Sequence, residues 1–123
     1  MSARVLKLKR TVTIKSNCDF RRLYGKGKSF QNPALVSYVM KNRAGICRIG
    51  ITASKKTGNA VERNSARRVI RAAYSSLEDR IQVNYDIIFV ARSKTKYQKS
   101  TQIAEVMLSQ LIKAGVIDEK ADN

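Results

Sequence analysis

The run Tyr85 to Ala91, YDIIFVA, is apolar at nearly every position in a chain that is otherwise strongly basic. A strand with one wet face alternates apolar and polar residues, so a run with almost no alternation predicts a central strand covered on both faces. That demands layers: a sheet with helices packed against it. Upstream, Cys47, Ile49, Ile51 and Ala53 alternate with Arg48, Gly50 and Thr52, which predicts a strand over Ile46 to Ala53 with one apolar face. A helix lies between the two, giving a β-α-β order. A parallel crossover follows, and right-handed connections are the rule for it.

The helix has a marked beginning. Gly58 can supply a turn, Asn59 is a good N-cap, and Glu62 stands at the reciprocal position of a capping box, near the positive end of the helix dipole. The helix therefore starts near Ala60. At about 100° per residue, Ala66, Val69, Ile70, Ala73 and Leu77 fall on one stripe, and Arg63, Asn64, Arg67, Arg68 and Arg71 on roughly the opposite one. Arg63, Arg67 and Arg71 form an i,i+4 chain of like charges without interleaved acids, a mildly destabilising arrangement that a merely solvated face would avoid. Arginine forks match phosphate bidentately, and a helix N-terminus offers free N–H groups to another anion. A polyanion-binding face is the reading these charges favour.

The rest of the chain reads as one domain over residues 1 to 123, with a basic, flexible arm at 1 to 14 and a polar tail at 118 to 123. Ser16 caps a short helix ending near Gly25, on which Phe20, Leu23 and Tyr24 form a trio; helix spacing alone makes them a core-facing stripe. A weak strand at Lys28 to Gln31 and an Asn32-Pro33 turn precede a clearer strand, Ala34 to Lys41. On it Val36, Tyr38 and Met40 share one face and Leu35, Ser37 and Val39 the other. Tyr38 is then a half-buried sheet tyrosine. Asn42 to Gly45 makes a four-residue turn, so Ile46 to Ala53 is expected to return as an antiparallel hairpin. Gly50 either admits a close backbone approach or simply packs. Ser100 is expected to cap a last helix whose Ile103, Val106, Met107, Leu111 and Ile112 face the core, closed by Gly115.

Charge limits what such a chain can do. Lys and Arg number 25 against 9 Asp and Glu, a net charge of +16, and that self-repulsion points to nucleic acid as the partner. A membrane surface is the weaker rival, since no segment is long or apolar enough to span and the basic helix lacks a bulky aromatic face. No apolar run follows the basic residues 1 to 10, so no signal peptide is expected. Cys18 and Cys47 have neither a C-x-x-C spacing nor a His for zinc, which suits reduced thiols in a cytoplasmic protein. The chain has no His at all, and its acids show no paired-carboxylate motif of the kind that holds two metal ions. Catalytic residues and metal ligands are expected to be absent: the chain should bind RNA without cutting it.

The string SKKTGNAVERN, followed by Arg67, Arg68 and Arg71, resembles the signature of the bacterial ribonuclease P protein subunit. Lys55, Lys56, Gly58, Ala60, Val61, Arg63, Asn64, Arg67, Arg68 and Arg71 match it. Ser65 stands where the family usually has a further Arg, and Ala72 where Glu or Gln is common. More loosely, the resemblance extends over about residues 15 to 115, through an early Asp19-Phe20 pair and the strand from Asp86 to Arg92.

The resemblance implies an α+β fold, ribosomal protein S5 domain 2-like, with about four strands in a mixed sheet, three helices in the order αβββαβα, and an unusual left-handed crossover. It implies a subunit that assists an endoribonuclease whose catalyst is RNA, removing the 5′ leader of precursor tRNA. Lys55, Lys56, Arg63, Asn64, Arg67, Arg68 and Arg71 would contact the catalytic RNA. Phe20, Tyr24 and Tyr38, with Arg48, would line the cleft for the leader, and a partly open cleft would let Leu23 pack inward while the rings stay reachable. No cofactor is expected on the protein and no small-molecule substrate; Mg2+ would belong to the RNA. A structural RNA-binding protein, such as a ribosomal one, is the alternative.

Overall fold

The computed structural model describes residues 11 to 118. Five strands, β1 (Thr11–Thr13), β2 (Lys28–Asn32), β3 (Leu35–Lys41), β4 (Cys47–Thr52) and β5 (Tyr85–Ala91), form one sheet in the order β1-β4-β5-β3-β2. Three helices accompany them: α1 (Asn17–Lys26), α2 (Ala60–Leu77) and α3 (Ser100–Ala114). β4 lies parallel to both β1 and β5, whereas β3 is antiparallel to β5 and β2.

β5 takes the centre, as its composition requires. Ile87, Ile88 and Phe89 are completely buried. Ile87 and Phe89 pack with Ile70, Tyr74, Met107 and Leu111 of α2 and α3, while Ile88 packs on the opposite face with Leu23 of α1 and Ile14. The sheet is thus covered by α1 on one side and by α2 and α3 on the other.

The expected hairpin does not form. β3 and β4 run in opposite directions but are not neighbours, because β5 is inserted between them. The turn after β3 bridges the gap: Asn42 N donates to Asn84 O (2.8 Å), Asn84 N donates to Ile46 O (3.0 Å), and Gly45 N donates to Asn84 Oδ1 (2.8 Å). A turn of this length can span two inter-strand spacings, about 10 Å, and the most apolar strand gains most from the central place.

The sheet also has one strand more than expected. Residues 1 to 10 of the expected arm lie outside the described residues, but Thr11–Thr13 pair with β4, and Ile14 is buried. This β-branched segment is held further by Thr11 Oγ1, which donates to Glu78 Oε2 at 2.7 Å and lies 2.9 Å from Tyr74 Oη. Of the expected tail, Asp118 is described and exposed.

Ser16 caps α1 as expected, its Oγ accepting from Cys18 N at 3.2 Å. At α3 the cap position falls on Lys99, one residue earlier than expected, because Gln102 Oε1 accepts from Lys99 N at 2.8 Å and Ser100 is already helical. Gly115 closes α3 in the left-handed region with φ 82°. Buried Gln110 ties α3 to the sheet: its Oε1 accepts from Ser37 Oγ (2.6 Å), and its Nε2 donates to Phe30 O and Leu35 O (both 2.9 Å). Among the described residues no helix is long and apolar enough to cross a membrane.

Candidate nucleic-acid interface

The turn before α2 is fixed from three sides. Ser54 Oγ accepts from Lys56 N (3.3 Å), and Lys96 Nζ donates to Thr57 O (2.6 Å) while pairing with Glu62 Oε2 (3.2 Å). The capping box is complete: Asn59 Oδ1 accepts from Glu62 N and Glu62 Oε1 from Asn59 N, both at 2.9 Å. Gly58 has φ 146°, and a Cβ there would run into Glu62 Oε1. Glycine is therefore required by conformation and by space. The hydrogen bond from Asn59, reinforced by Lys96, holds the Glu62 carboxyl below its ordinary pKa.

From this anchored start, α2 buries Ala66, Ile70, Ala73, Tyr74 and Leu77 and turns its arginines outward. Asn64, Arg67 and Arg68 are exposed, Arg63 and Arg71 half-exposed, and Lys55 and Lys56 exposed on the preceding turn. Arg67 Nη1 donates to Asn64 Oδ1 at 3.0 Å, which leaves the Asn64 amide N–H groups free to donate outward. Among the described residues no acid is paired with any of these arginines. Ser65 is half-buried on the same helix.

The aromatic trio divides. Leu23 is fully buried, whereas Tyr24 is 43% exposed and Phe20 and Tyr38 are intermediate. The core-facing stripe is thus Leu23 alone. Phe20 and Tyr24 stack with ring centroids 6.4 Å apart, and Tyr24 meets Tyr38 edge-on at 4.9 Å. The three rings, separated by up to 18 positions in sequence, form one contiguous surface on the α1 side of the sheet. Gly50 is what seats the first of them, since an added Cβ would lie 2.7 Å from Phe20 Cε1.

Two recesses flank these rings. One, of about 340 Å³, is lined by Phe20, Ile14 and Ile51 together with Asn64, Arg67, Arg68 and Arg71. The other, of about 390 Å³, continues past Tyr38 over Val36 and Val90 to Ser54, Lys56 and Arg92. Arg92 was not singled out in sequence as a site residue, although it opens the basic loop after β5.

Arg48 is placed differently from the rings. Its Nε and Nη2 donate to Oδ1 and Oδ2 of Asp86 at 2.8 and 2.6 Å, and its Nη1 lies 3.6 Å from Asp19 Oδ2. Asp86 is fully buried and also accepts from Asn42 Nδ2 at 2.6 Å. The hydrogen bond that Arg48 donates to Asp86 pushes the guanidinium pKa up. Its fork is engaged inside the fold, and through Asp19 it ties α1 to the sheet beside Phe20. The described residues contain no group of three or more His, Cys, Asp or Glu that could hold a metal ion.

Unpaired cations in rows beside partly open aromatic rings make this face of the α+β protein its candidate nucleic-acid interface. The ribonuclease P family profile matches residues 8–115, and the chain belongs to that family. It is 46% identical over 88 residues to the ribonuclease P protein component of Clostridioides difficile, covering 71% of this chain and 77% of that one. To the Clostridium novyi component it is 39% identical over 111 residues, covering 89% and 98%. The fold matches the RNase P protein of Staphylococcus aureus with a TM-score of 0.73 at 39% identity, covering 86% and 97%. For Thermotoga maritima the TM-score is also 0.73, at 27% identity, covering 82% and 96%. The chain is a protein subunit of ribonuclease P, an accessory subunit of an endoribonuclease of tRNA processing.

Proposed function

We propose that the protein docks on the ribonuclease P RNA through Lys55, Lys56, Arg63, Asn64, Arg67, Arg68 and Arg71. Across Phe20, Tyr24 and Tyr38 it holds the single-stranded 5′ leader of precursor tRNA. The recess shared by Phe20 and the arginines of α2 carries this reading, because it makes the two RNA surfaces adjoin. Stacking requires no base identity and contributes about 1–3 kcal/mol per base, which suits leaders of varied sequence. Arg48 positions α1 over the sheet, since its fork is already on Asp86.

Catalysis belongs to the RNA and its Mg2+. The protein's part is to offset phosphate repulsion between that RNA and the precursor. The working compartment is the cytoplasm, where Cys18 and Cys47 stay reduced. Precursor cleavage at low Mg2+ tests this, comparing the protein alone, a bacterial ribonuclease P RNA alone, and the mixture. Cleavage at the mature 5′ end in the mixture alone is expected; no rescue of an RNA shown to be active at high Mg2+ overturns the reading. Phe20→Ala with Tyr24→Ala is expected to weaken binding of leader-bearing precursor but not of mature tRNA, and equal losses for both refute the leader cleft.

A further inference from the structure

A second cationic surface lies at the far end of the sheet from the Lys55-Lys56 turn. Lys26 at the end of α1, Lys28 opening β2 and Lys41 closing β3 line a recess of about 270 Å³ floored by Val39, Tyr85 and Ala114, on the α3 side of the sheet. Lys41 also borders an adjoining recess of about 460 Å³ with Met40, Arg22 and Arg43. Lys26, Lys28, Lys41 and Arg43 are exposed, and among the described residues none has an ion-pair partner. No acid lines the first recess. Asp86, which lines the second, is held by Arg48 at 2.6 Å. Like charges gathered from three elements without counter-ions repel one another and attract a polyanion.

The position of this surface says which polyanion. Val36, Tyr38 and Met40 alternate along one face of β3, which runs from Leu35, paired with Ala91 and so next to Arg92, to Lys41 opposite Tyr85. The Tyr24–Tyr38 ring pair therefore sits between two cationic ends about 20 Å apart along the strand. The first end carries Lys56 and the start of α2, where on the proposed reading the catalytic RNA docks, so the leader's cleaved end lies nearer to it. A leader crossing the rings from that end leaves over Met40 towards Lys41 and Arg43.

We propose that Lys41 and Arg43, which border the recess on the ring side of the sheet, bind phosphates of leader nucleotides farther from the cleavage site than those stacked on the rings. This rests on the leader-cleft reading and extends it. Flexible, exposed point charges take up phosphates without regard to sequence, so the contact adds affinity with leader length and not with leader identity.

The test measures Kd of the reconstituted holoenzyme for precursor tRNAs with leaders of about four and about ten nucleotides, a span comparable to known single-strand sites. The proteins are wild type, Lys41→Gln with Arg43→Gln, and a control that loses the same charge at the two ends of α3, Lys99→Gln with Lys113→Gln. The longer leader is expected to bind wild type and control several-fold more tightly, with a salt dependence steeper by about one log–log unit than that of the short one. In the Lys41/Arg43 variant that gain is lost while short-leader binding holds. A full gain in that variant, an equal loss in the control, or no gain in wild type overturns the proposal. Loss of affinity for leaderless tRNA or for the RNA subunit also overturns it and assigns the surface elsewhere. Failure of the leader cleft itself shows separately, as short-leader binding insensitive to Phe20→Ala with Tyr24→Ala.

Discussion

Replacing Gly50 by alanine tests whether the sheet seats the ring proposed to stack on the leader. The added methyl would lie 2.7 Å from Cε1 and 2.8 Å from Cζ of Phe20. Carbon atoms pack at about 3.5–4.0 Å, so the ring must retreat by about 1 Å. The helix carrying it is less free to move, because Leu23 is buried on the same side and Asp19 lies 3.6 Å from Arg48. Overpacking costs roughly 1–3 kcal/mol, and exchanging glycine for alanine inside a strand returns about 0.5–1 kcal/mol. The net loss of stability is then about 1 kcal/mol. Displacing one stacking ring removes much of a contribution of about 1–3 kcal/mol per base, so affinity for leader-bearing precursor should fall by about tenfold while mature tRNA binds as before. Urea unfolding and equilibrium binding of both tRNAs to the holoenzyme measure the two effects. A folded Gly50→Ala protein with undiminished leader affinity would refute the reasoning.

Three further perturbations separate charges that hold the fold from charges proposed to contact RNA. Arg48→Met leaves the buried Asp86 carboxylate with Asn42 and, at 3.7 Å, Arg22; breaking such a pair costs about 3–5 kcal/mol when both partners are buried. Arg48 is 25% exposed, so about 2–3 kcal/mol is expected in urea unfolding, and an unchanged midpoint refutes it. The lowered pKa of Glu62 means its contribution to stability is complete above its ordinary value of 4.5 and is lost as pH falls through the lower folded value. The difference in Tm between wild type and Glu62→Ala should accordingly shrink below that pH, and a difference constant with pH excludes the charged cap. Arg63→Ala with Arg67→Ala should leave the fold intact and flatten the salt dependence of binding to the RNA subunit by about one to two log–log units. An unchanged slope places those arginines off the phosphates.

What the sequence made legible was local. The capping box of α2, its arginine face, the αL glycine after α3 and the two-sided burial of β5 all depend on residues a few positions apart, and all four appear in the structure. What it hid depends on pairing at a distance. Nothing near Lys41 or Ile46 shows that a strand some 40 positions downstream lies between β3 and β4, and an adjacent pair with a short turn favours the hairpin locally. β1 was masked by the basic residues preceding it, although Thr11, Val12, Thr13 and Ile14 form a β-branched run that could have revealed it. At the site, spacing made Phe20, Leu23 and Tyr24 one stripe. Only the sheet beneath shows that Leu23 is buried while the rings turn to the cleft.

The same distinction explains why counting arginines could not assign them. Arg48 alternates with apolar residues on a strand and reads as an outward-facing cation, yet its fork is closed on Asp86, 38 residues away. The acids decide. Asp19 and Asp86 engage Arg22 and Arg48 where α1 meets the sheet, Glu62 caps α2 and pairs with Lys96, and Glu78 accepts from Thr11 to hold β1. Each of these scarce carboxylates sits where two elements join or a helix begins, and holds a cation, a helix N-terminus or a hydroxyl whose position the fold needs fixed. The arginines of α2, given none, keep their guanidinium groups open at the cost of mutual repulsion. A basic protein built in this way separates the cations that hold it together from those it leaves open on its surface by where it places its few acids.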